Sequence, residues 1–282
     1  MIKSDNSVIY SESRPVPSAE TSVVDLLSAL ADPGSPICRE TLSLAGLLRF
    51  TRALGHSDNS VRMALSRLVA EDLVKRDGRG CYTYGSAGHR RHLEVVGWHQ
   101  AAMRVDTRWD GSWIGLFIKG KPSKSDHRAA RLAGFRPYDD GLMVRPNNLL
   151  GVPTSEKAAI PAGFATGQFW QAHLSELTDD QQQRFWALYD TENILQGYNM
   201  LIQLKLPTKK VNSLQALHDI VTTTYLVGRE AVVSIVSDPL LPKQMIDVAL
   251  RAKAIKRAKQ YYDQSSKYWA MLIDGEFQGR LD

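Results

Sequence analysis

Residues 42–84 read LSLAGLLRFTRALGHSDNSVRMALSRLVAEDLVKRDGRGCYTY, in which two helical patterns are followed by a hairpin pattern. Gly55-His56 interrupts the first helical pattern, in which five leucines recur: Leu42, Leu44, Leu47, Leu48 and Leu54. Ser57 or Asp58 then offers an N-cap oxygen for a second helix over roughly 58–72. Residues 73–76 and 81–84 have strand patterns around a tight turn, which places Arg79 at a hairpin tip. This order predicts a winged helix-turn-helix.

The second helix has two chemically distinct faces. Its apolar stripe is predicted to consist of Val61, Ala64, Leu65, Leu68 and Val69. The opposite side carries Asn59, Ser60, Arg62, Met63, Ser66 and Arg67. Asparagine, serine and arginine side chains suit base edges and phosphates. We therefore expect these six residues, together with Ser57 and Arg79, to contact DNA.

The basic residues of the chain are concentrated on the same segment. Residues 37–92 contain ten Lys or Arg against five Asp or Glu, a surplus equal to the net charge of +5 for the whole chain. A local basic surplus is typical of a phosphate-binding surface. A winged helix that binds only protein is the alternative, and a gel shift with random duplex DNA separates the two.

The remaining patterns predict an α+β protein with several domains. We expect a disordered leader over 1–20, the DNA-binding domain over 21–92 beginning with a helix at 21–31, a linker helix and ferredoxin-like domain over 93–175, and a C-terminal helical domain over 176–282. The ferredoxin-like prediction depends on strand, helix, strand patterns at 114–118, 125–133 and 141–146, with a further half beginning near 163–174. The last helix, over 243–272, is predicted to hold its basic residues on a solvated face: Arg251, Lys253, Lys256, Arg257 and Lys259.

Several classes of protein are not indicated. The sequence has no long apolar run and no signal-peptide core, which predicts a cytoplasmic protein. Cys38 and Cys81 lack metal-ligand spacing and are expected to stay reduced. We find no catalytic motif and predict no enzyme activity, metal or cofactor. The enzymatic alternative is a metal-dependent nuclease, but its paired strand-end acids are lacking, since Asp106 and Asp110 precede the strand at 114–118.

Together these features resemble the PaaX family of bacterial transcriptional repressors of aromatic catabolism. The resemblance covers roughly 22–269 and depends on the order of these short motifs: Leu54-Gly55-His56-Ser57 leading into Val61-Arg62 and Arg67-Leu68, Arg79-Gly80 with Tyr82, Trp109-Asp110-Gly111-Ser112-Trp113, Gly134-Phe135, Trp186 with Tyr189, and Asp238-Pro239-Leu240-Leu241-Pro242. The chain departs from the family at Asp72, where Gly is usual, and at 247–251, which lack the usual Trp-Pro-Gly.

The resemblance implies a homodimer that binds a palindromic operator in double-stranded DNA. It also implies release by an acyl-CoA thioester effector, phenylacetyl-CoA in the best-known members. His127, Arg128 and Arg131 suit a CoA phosphate by charge, although three basic residues on a short helix also suit a solvated face. The box from Trp109 to Trp113 is interpreted as structural, because large apolar side chains beside a buried strand anchor a core.

Overall fold

The structure is a computed structural model that describes residues 15–78, 80–88, 98–99, 109–118, 127, 130–139, 141–148, 169–208 and 210–276. The fold is mixed α/β and contains two small antiparallel sheets. The chain divides into two compact units, the first formed by residues 1–97, 203–232 and 257–282 and the second by 98–202 and 233–256. The residues expected to form one C-terminal helical domain, 176–282, are therefore divided between the two units.

The first unit begins with three helices and a three-stranded sheet. Its elements are α1 (Ala19–Ala31), β1 (Leu42–Ser43), α2 (Leu44–Ala53), α3 (Asp58–Ala70), β2 (Val74–Asp77) and β3 (Cys81–Tyr84). The strand order is β1-β3-β2, with both pairs antiparallel. Ser18 caps α1 by accepting a hydrogen bond from the Thr21 amide, so the helix begins two residues before the expected position. The expected leader boundary at residue 20 thus falls inside α1.

The leucine spacing predicts that Leu42 belongs to the first helix, but this prediction is wrong. Leu42 lies in β1 opposite Tyr82, and Ser43 caps α2 by accepting a hydrogen bond from the Gly46 amide. An N-cap residue has extended backbone, so the helix cannot include the leucine before it. The correction adds an edge strand to the hairpin of β2 and β3.

The turn between α2 and α3 is fixed by hydrogen bonds at the end of α2. The amide of His56 donates to the carbonyl of Thr51 (3.0 Å), and the amide of Gly55 donates to that of Arg52 (2.9 Å). This pair of bonds is a Schellman motif, which needs a left-handed residue, and Gly55 has φ +84°. Ser57 then caps α3 by accepting a hydrogen bond from the Ser60 amide. The relative orientation of the two helices is therefore set by local backbone chemistry.

α3 ends in the same way, but with a non-glycine residue in the left-handed position. The amide of Leu73 donates to the carbonyl of Leu68 (2.9 Å), and Asp72 has φ +53°. This geometry explains why glycine suits position 72. The carbonyl of Leu73 then lies so close to Gly88 that a Cβ atom there would be 1.9 Å from its oxygen.

Parts of two long helices complete the core of the first unit. These helices are α6 (Leu214–Val236) and α7 (Val248–Asp274), which the first unit includes up to Val232 and from Arg257, respectively. The ring of Phe50 on α2 lies edge-on to Tyr225 and Trp269, with centroids 5.7 and 6.0 Å away. Arg49 also donates from Nε to the carbonyl of Leu272 (3.0 Å). α2 is thus anchored on the C-terminal helices.

The second unit contains a four-stranded antiparallel sheet and two short helices. Its elements are β4 (Trp113–Ile118), β5 (Arg136–Asp139), β6 (Leu142–Pro146), β7 (Phe169–Leu174), α4 (Asp179–Trp186) and α5 (Thr191–Ile202), and the strand order is β5-β6-β4-β7. The strand predictions at 114–118 and 141–146 are confirmed. Residues 127 and 130–132 of the helix expected over 125–133 are helical. The linker helix lies outside the described residues apart from 98–99.

One face of this sheet carries the apolar core Ile114, Leu116, Ile118, Phe135 and Met143, together with Ala130. Trp113 is completely buried and donates from Nε1 to the side-chain oxygen of Gln182 (2.7 Å). Trp109 is also buried and donates from Nε1 to the carbonyl of Ser112 (2.7 Å). The Trp109–Trp113 box is therefore part of the core, in agreement with its structural interpretation.

The prediction that Arg251 lies on a solvated face of α7 is wrong. This side chain is only 1% exposed and donates from Nη1 to the carbonyl of Leu241 (3.0 Å). The helix also begins later than expected, because the carboxylate of Asp247 accepts hydrogen bonds from the amides of Ala249 and Leu250. Lys253 and Lys256 are exposed, as expected.

No helix in the described part of the chain is both long and apolar enough to cross a membrane. Cys38 and Cys81 are free thiols.

Candidate nucleic-acid interface

Five predicted DNA-contacting residues form one exposed stripe on α3: Asn59, Arg62, Met63, Ser66 and Arg67. Their spacing of three and four residues keeps them on one side of a helix with 3.6 residues per turn. The buried side consists of Val61, Ala64, Leu65 and Leu68. Val69, which was expected in the apolar stripe, is instead 37% exposed. We call the five exposed residues the α3 stripe.

The two predicted serines outside this stripe have local roles. The Ser57 hydroxyl is occupied as the N-cap acceptor, and Ser60 is half-buried with its hydroxyl donating to the carbonyl of Ser57 (2.7 Å). Both lie at the helix N-terminus, where partial positive charge favours a phosphate. They therefore contribute to the site mainly by ordering the first turn of α3.

Asp58 places a negative charge in that first turn, but Arg52 on α2 neutralises it. The guanidinium Nε of Arg52 lies 2.6 Å from the Asp58 carboxylate, and a second nitrogen bonds the other oxygen. The hydrogen bond from Arg52 holds the pKa of Asp58 below its ordinary value. The pair also ties the end of α2 to the start of α3.

Arg67 is paired within the chain. Its Nη1 lies 2.9 Å from the Glu20 carboxylate at the start of α1, and both side chains are well exposed. An exposed ion pair of this kind contributes about 0–1 kcal/mol, so a phosphate can compete for the arginine. Arg62 has no ion pair within the described residues.

The basic surplus of residues 37–92 is only partly accessible to a partner. Arg39 pairs with Asp274, and Arg49 donates to carbonyls at the end of α7. Arg79, Arg90 and Arg91 lie outside the described residues. Apart from Arg49, the described basic side chains of this segment without an ion pair are Arg62, Lys75 and Arg76.

Lys75 and Arg76 are exposed on β2 and were not among the predicted contact residues. Alternation along a strand was a signal for Lys75 only, because it places Arg76 on the same face as buried Val74, whereas Lys75, Arg76 and Asp77 are all exposed. Gly78 and Gly80 have φ +67° and +78°, which form the tight hairpin turn on either side of position 79. The hairpin therefore carries two exposed cations in addition to those of the α3 stripe.

His56, in the turn before α3, adds no charge at neutral pH. Burial lowers the pKa of its ring below the ordinary value, and Nε2 lies 3.1 Å from the Ser22 hydroxyl. The side chain joins the turn to α1.

The residues proposed for an effector are less well defined. His127 and Arg131 are both exposed, and Arg128 lies outside the described residues. The nuclease alternative considered Asp106 and Asp110. Asp106 lies outside the described residues. The carboxylate of Asp110 accepts a hydrogen bond from the Ser112 amide (2.9 Å), and hydrogen bonds from the Ser112 side chain and then from this amide hold the pKa of the carboxyl below its ordinary value. No group of three or more potential metal ligands occurs among the residues that the structure describes.

Among solved structures, the chain is similar to the uncharacterized protein Rv0674 from Mycobacterium tuberculosis. The TM-score is 0.53 and the sequence identity 19%, over 91% of this chain and 98% of that chain. This likeness concerns the fold alone. No protein-family model and no curated protein matches the sequence.

Proposed function

We propose that the chain is a DNA-binding transcriptional regulator whose first unit is a winged helix-turn-helix with α3 as the recognition helix. The observation that carries the proposal is the α3 stripe, a polar and basic face on a helix fixed at both ends by cap hydrogen bonds. A helix that only packs in a core does not need such a face. The edges of base pairs present hydrogen-bond donors and acceptors that match the side chains of the α3 stripe.

The dimensions of the stripe fit the major groove. At about 1.5 Å per residue, Asn59 and Arg67 are roughly 12 Å apart along the helix axis, similar to the groove width of about 12 Å. Arg62 suits guanine, and Asn59 suits adenine. Met63 is 51% exposed, which suits contact with a thymine methyl group.

The hairpin of β2 and β3 is proposed to act as the wing. Lys75 and Arg76 are exposed on it, and Arg79 belongs to its turn by sequence. Basic residues on such a hairpin mostly meet phosphates, so they contribute affinity and salt dependence rather than sequence preference.

We further propose that the second unit is a ferredoxin-like domain of a PaaX-type repressor. In chain order, the antiparallel sheet has its first and third strands at the centre and its second and fourth at the edges, and helical residues lie between the first two strands. This order supports a ferredoxin-like topology. The resemblance to PaaX repressors adds a homodimer, a palindromic operator and an acyl-CoA effector to the proposal.

A protein-binding winged helix is the second candidate. It is favoured by two exposed apolar side chains on α3, Met63 and Val69, which are 51% and 37% exposed. A partner protein could bury both side chains, whereas DNA contact through the α3 stripe would cover Met63 and leave Val69 exposed.

A binding titration with a random-sequence duplex separates the two candidates. The full chain is titrated into fluorescein-labelled 30-base-pair DNA at about 50 and 200 mM salt, and fluorescence anisotropy is recorded. A DNA reader is expected to bind at the lower salt and to lose affinity steeply at the higher one. No binding at either salt concentration would favour the protein-binding scaffold. Operator selection from a random pool then supplies the specific duplex.

A further inference from the structure

Arg145 on β6 is buried in the second unit and has no anionic partner among the residues that the structure describes. The residue is 6% exposed, and its Nε is buried with no hydrogen-bond acceptor among the described residues. Its guanidinium lies over the ring of Phe135, 5.2 Å from the centroid. An aromatic face only partly replaces the water or carboxylate that a guanidinium normally contacts.

The buried carboxylate of Asp238, in the same unit, already has other partners. The Asp238 side chain accepts hydrogen bonds from the Leu240 amide (2.7 Å) and from the Tyr198 hydroxyl (2.6 Å). Arg251 lies 4.0 Å from it. Asp238 therefore compensates Arg251, and the positive charge of Arg145 remains uncompensated within the described residues.

A second arginine, Arg136, lies over the ring of a buried tyrosine, Tyr189. The Tyr189 hydroxyl lies 2.9 Å from the carbonyl oxygen of Gly134 and 3.0 Å from that of Val144, within hydrogen-bonding distance of both. Arg136 lies over the Tyr189 ring at 5.2 Å, and both Arg136 and Arg145 act electrostatically on the phenol. Arg136 donates a hydrogen bond from Nη1 to the carbonyl oxygen of Phe135 (2.9 Å).

Burial lowers the pKa of Arg145 to about 10, so the side chain is still charged at neutral pH. A charged group in such a position is costly unless it is paired. Two guanidinium groups therefore act on one buried phenol, and a carboxylate, that of Asp238, attracts Arg136 but is not among the groups that act on Arg145. Carboxylate and phosphate groups match the planar donor geometry of arginine.

We propose that Arg145, with Arg136 beside Tyr189, is a binding site for the carboxylate or phosphate group of a small molecule. The site differs from the residues considered for an effector on sequence grounds, since Arg131 and His127 are exposed. It does not depend on the proposed DNA binding, because every residue that forms it belongs to the second unit.

Thermal unfolding with added anions tests this site. The melting temperature of the full chain is measured with increasing sodium phosphate or sodium acetate, with sodium chloride holding ionic strength constant. We expect a saturable rise with at least one of the two anions, because a ligand that binds only the folded state stabilises it. The anion that acts identifies the group as phosphate or carboxylate.

Three variants make the test specific. Arg145→Met should abolish the saturable rise, and Arg145→Lys should weaken the apparent affinity by about tenfold or more, because a single ammonium replaces a planar donor pair. Arg131→Gln, which changes an exposed arginine of the same unit, should leave the rise intact. If Arg145→Met fails to fold, Arg145→Lys alone decides.

The outcomes that overturn the proposal are distinct. Equal anion responses in wild type and both Arg145 variants, or no response to either anion, would show that no such site exists. Arg62→Ala should keep the anion response, so failure of the DNA-binding proposal does not affect this test.

Discussion

The guanidinium of Arg67 on α3 is bonded to the carboxylate of Glu20 in the first turn of α1, with 2.9 Å between Nη1 and Oε1. The pair connects the candidate recognition surface to the helix that begins the first unit. Glu20 also puts a negative charge beside a surface that is proposed to approach phosphates. The same contact therefore orders Arg67 and competes with DNA for it.

Glu20→Gln should strengthen binding to duplex DNA. Removing the carboxylate frees Arg67 and reduces repulsion of phosphates, and the effect should shrink as salt rises. We expect an increase of a few-fold in affinity at low salt and a loss of less than about 1 kcal/mol in the free energy of unfolding. Anisotropy titrations measure the first and urea unfolding the second.

The control for Glu20→Gln is Asp180→Asn, which breaks a similarly exposed pair with Arg184 in the second unit. It should leave DNA affinity unchanged. Weaker binding by Glu20→Gln would mean that the carboxylate holds Arg67 in the conformation that DNA requires.

Two glycine substitutions of the first unit should differ in severity. At Gly55 an added Cβ meets no atom within 4 Å, so Gly55→Ala suffers only from the left-handed backbone, at about 1–2 kcal/mol. At Gly88 the Cβ would lie 1.9 Å from the carbonyl oxygen of Leu73, so Gly88→Ala must displace backbone and should cost more. Thermal unfolding of both variants gives the order, and equal costs would contradict the packing described after α3.

Trp113→Ala should destabilise the second unit by about 3–5 kcal/mol, because the side chain is fully buried and its Nε1 bonds Gln182. Trp186→Ala is the matched control, since that tryptophan is 39% exposed and should cost much less. Near-UV circular dichroism and melting temperature measure both. A stable Trp113→Ala protein would contradict the structural interpretation of the Trp109–Trp113 box.

The buried carboxyl of Asp238 should make stability depend on pH. Burial raises its pKa above the ordinary value and outweighs the attraction of Arg251. In the range between the unfolded pKa of about 3.9 and the raised folded value, the folded state binds more protons than the unfolded state. The stabilising contribution is therefore complete below pH 3.9 and is lost as the pH rises through the folded pKa.

Asp238→Asn removes this titration. The free energy of unfolding of the wild type relative to the variant should fall as the pH is raised from about 4 towards neutral, as measured by urea unfolding at several pH values. A difference that grows with pH would mean that Arg251 dominates and lowers the pKa of Asp238.

Features encoded by neighbouring residues were predictable from the sequence. The cap at Ser57, the break at Gly55 and the strand patterns of the hairpin each depend on a few adjacent residues, and they placed α3 within two residues of its observed end. The capping box of Thr178 and Gln181 at the start of α4 is likewise encoded by residues only three positions apart.

Arg251 shows why other features were not predicted. It begins a buried stripe with Ala254, Ile255 and Ala258, so its position in the helical period was the signal, but its charge suggested solvent. β5 was not predicted because it contains Pro137, and proline is disfavoured in strands except at a sheet edge. This strand lies at an edge. The pair of Arg67 and Glu20 joins residues 47 positions apart, which local patterns do not encode.

Binding of a selected operator by Arg62→Ala tests the central proposal most directly. Arg62 is exposed on α3 and has no ion pair within the described residues, so the substitution removes a direct contact without disturbing the core. We predict a loss of about 1–3 kcal/mol in operator binding, with unchanged circular dichroism and little change for random duplexes. Arg184→Ala, in the second unit, should bind the operator like the wild type. Unchanged operator affinity in a folded Arg62→Ala protein would contradict the assignment of α3 as the recognition helix.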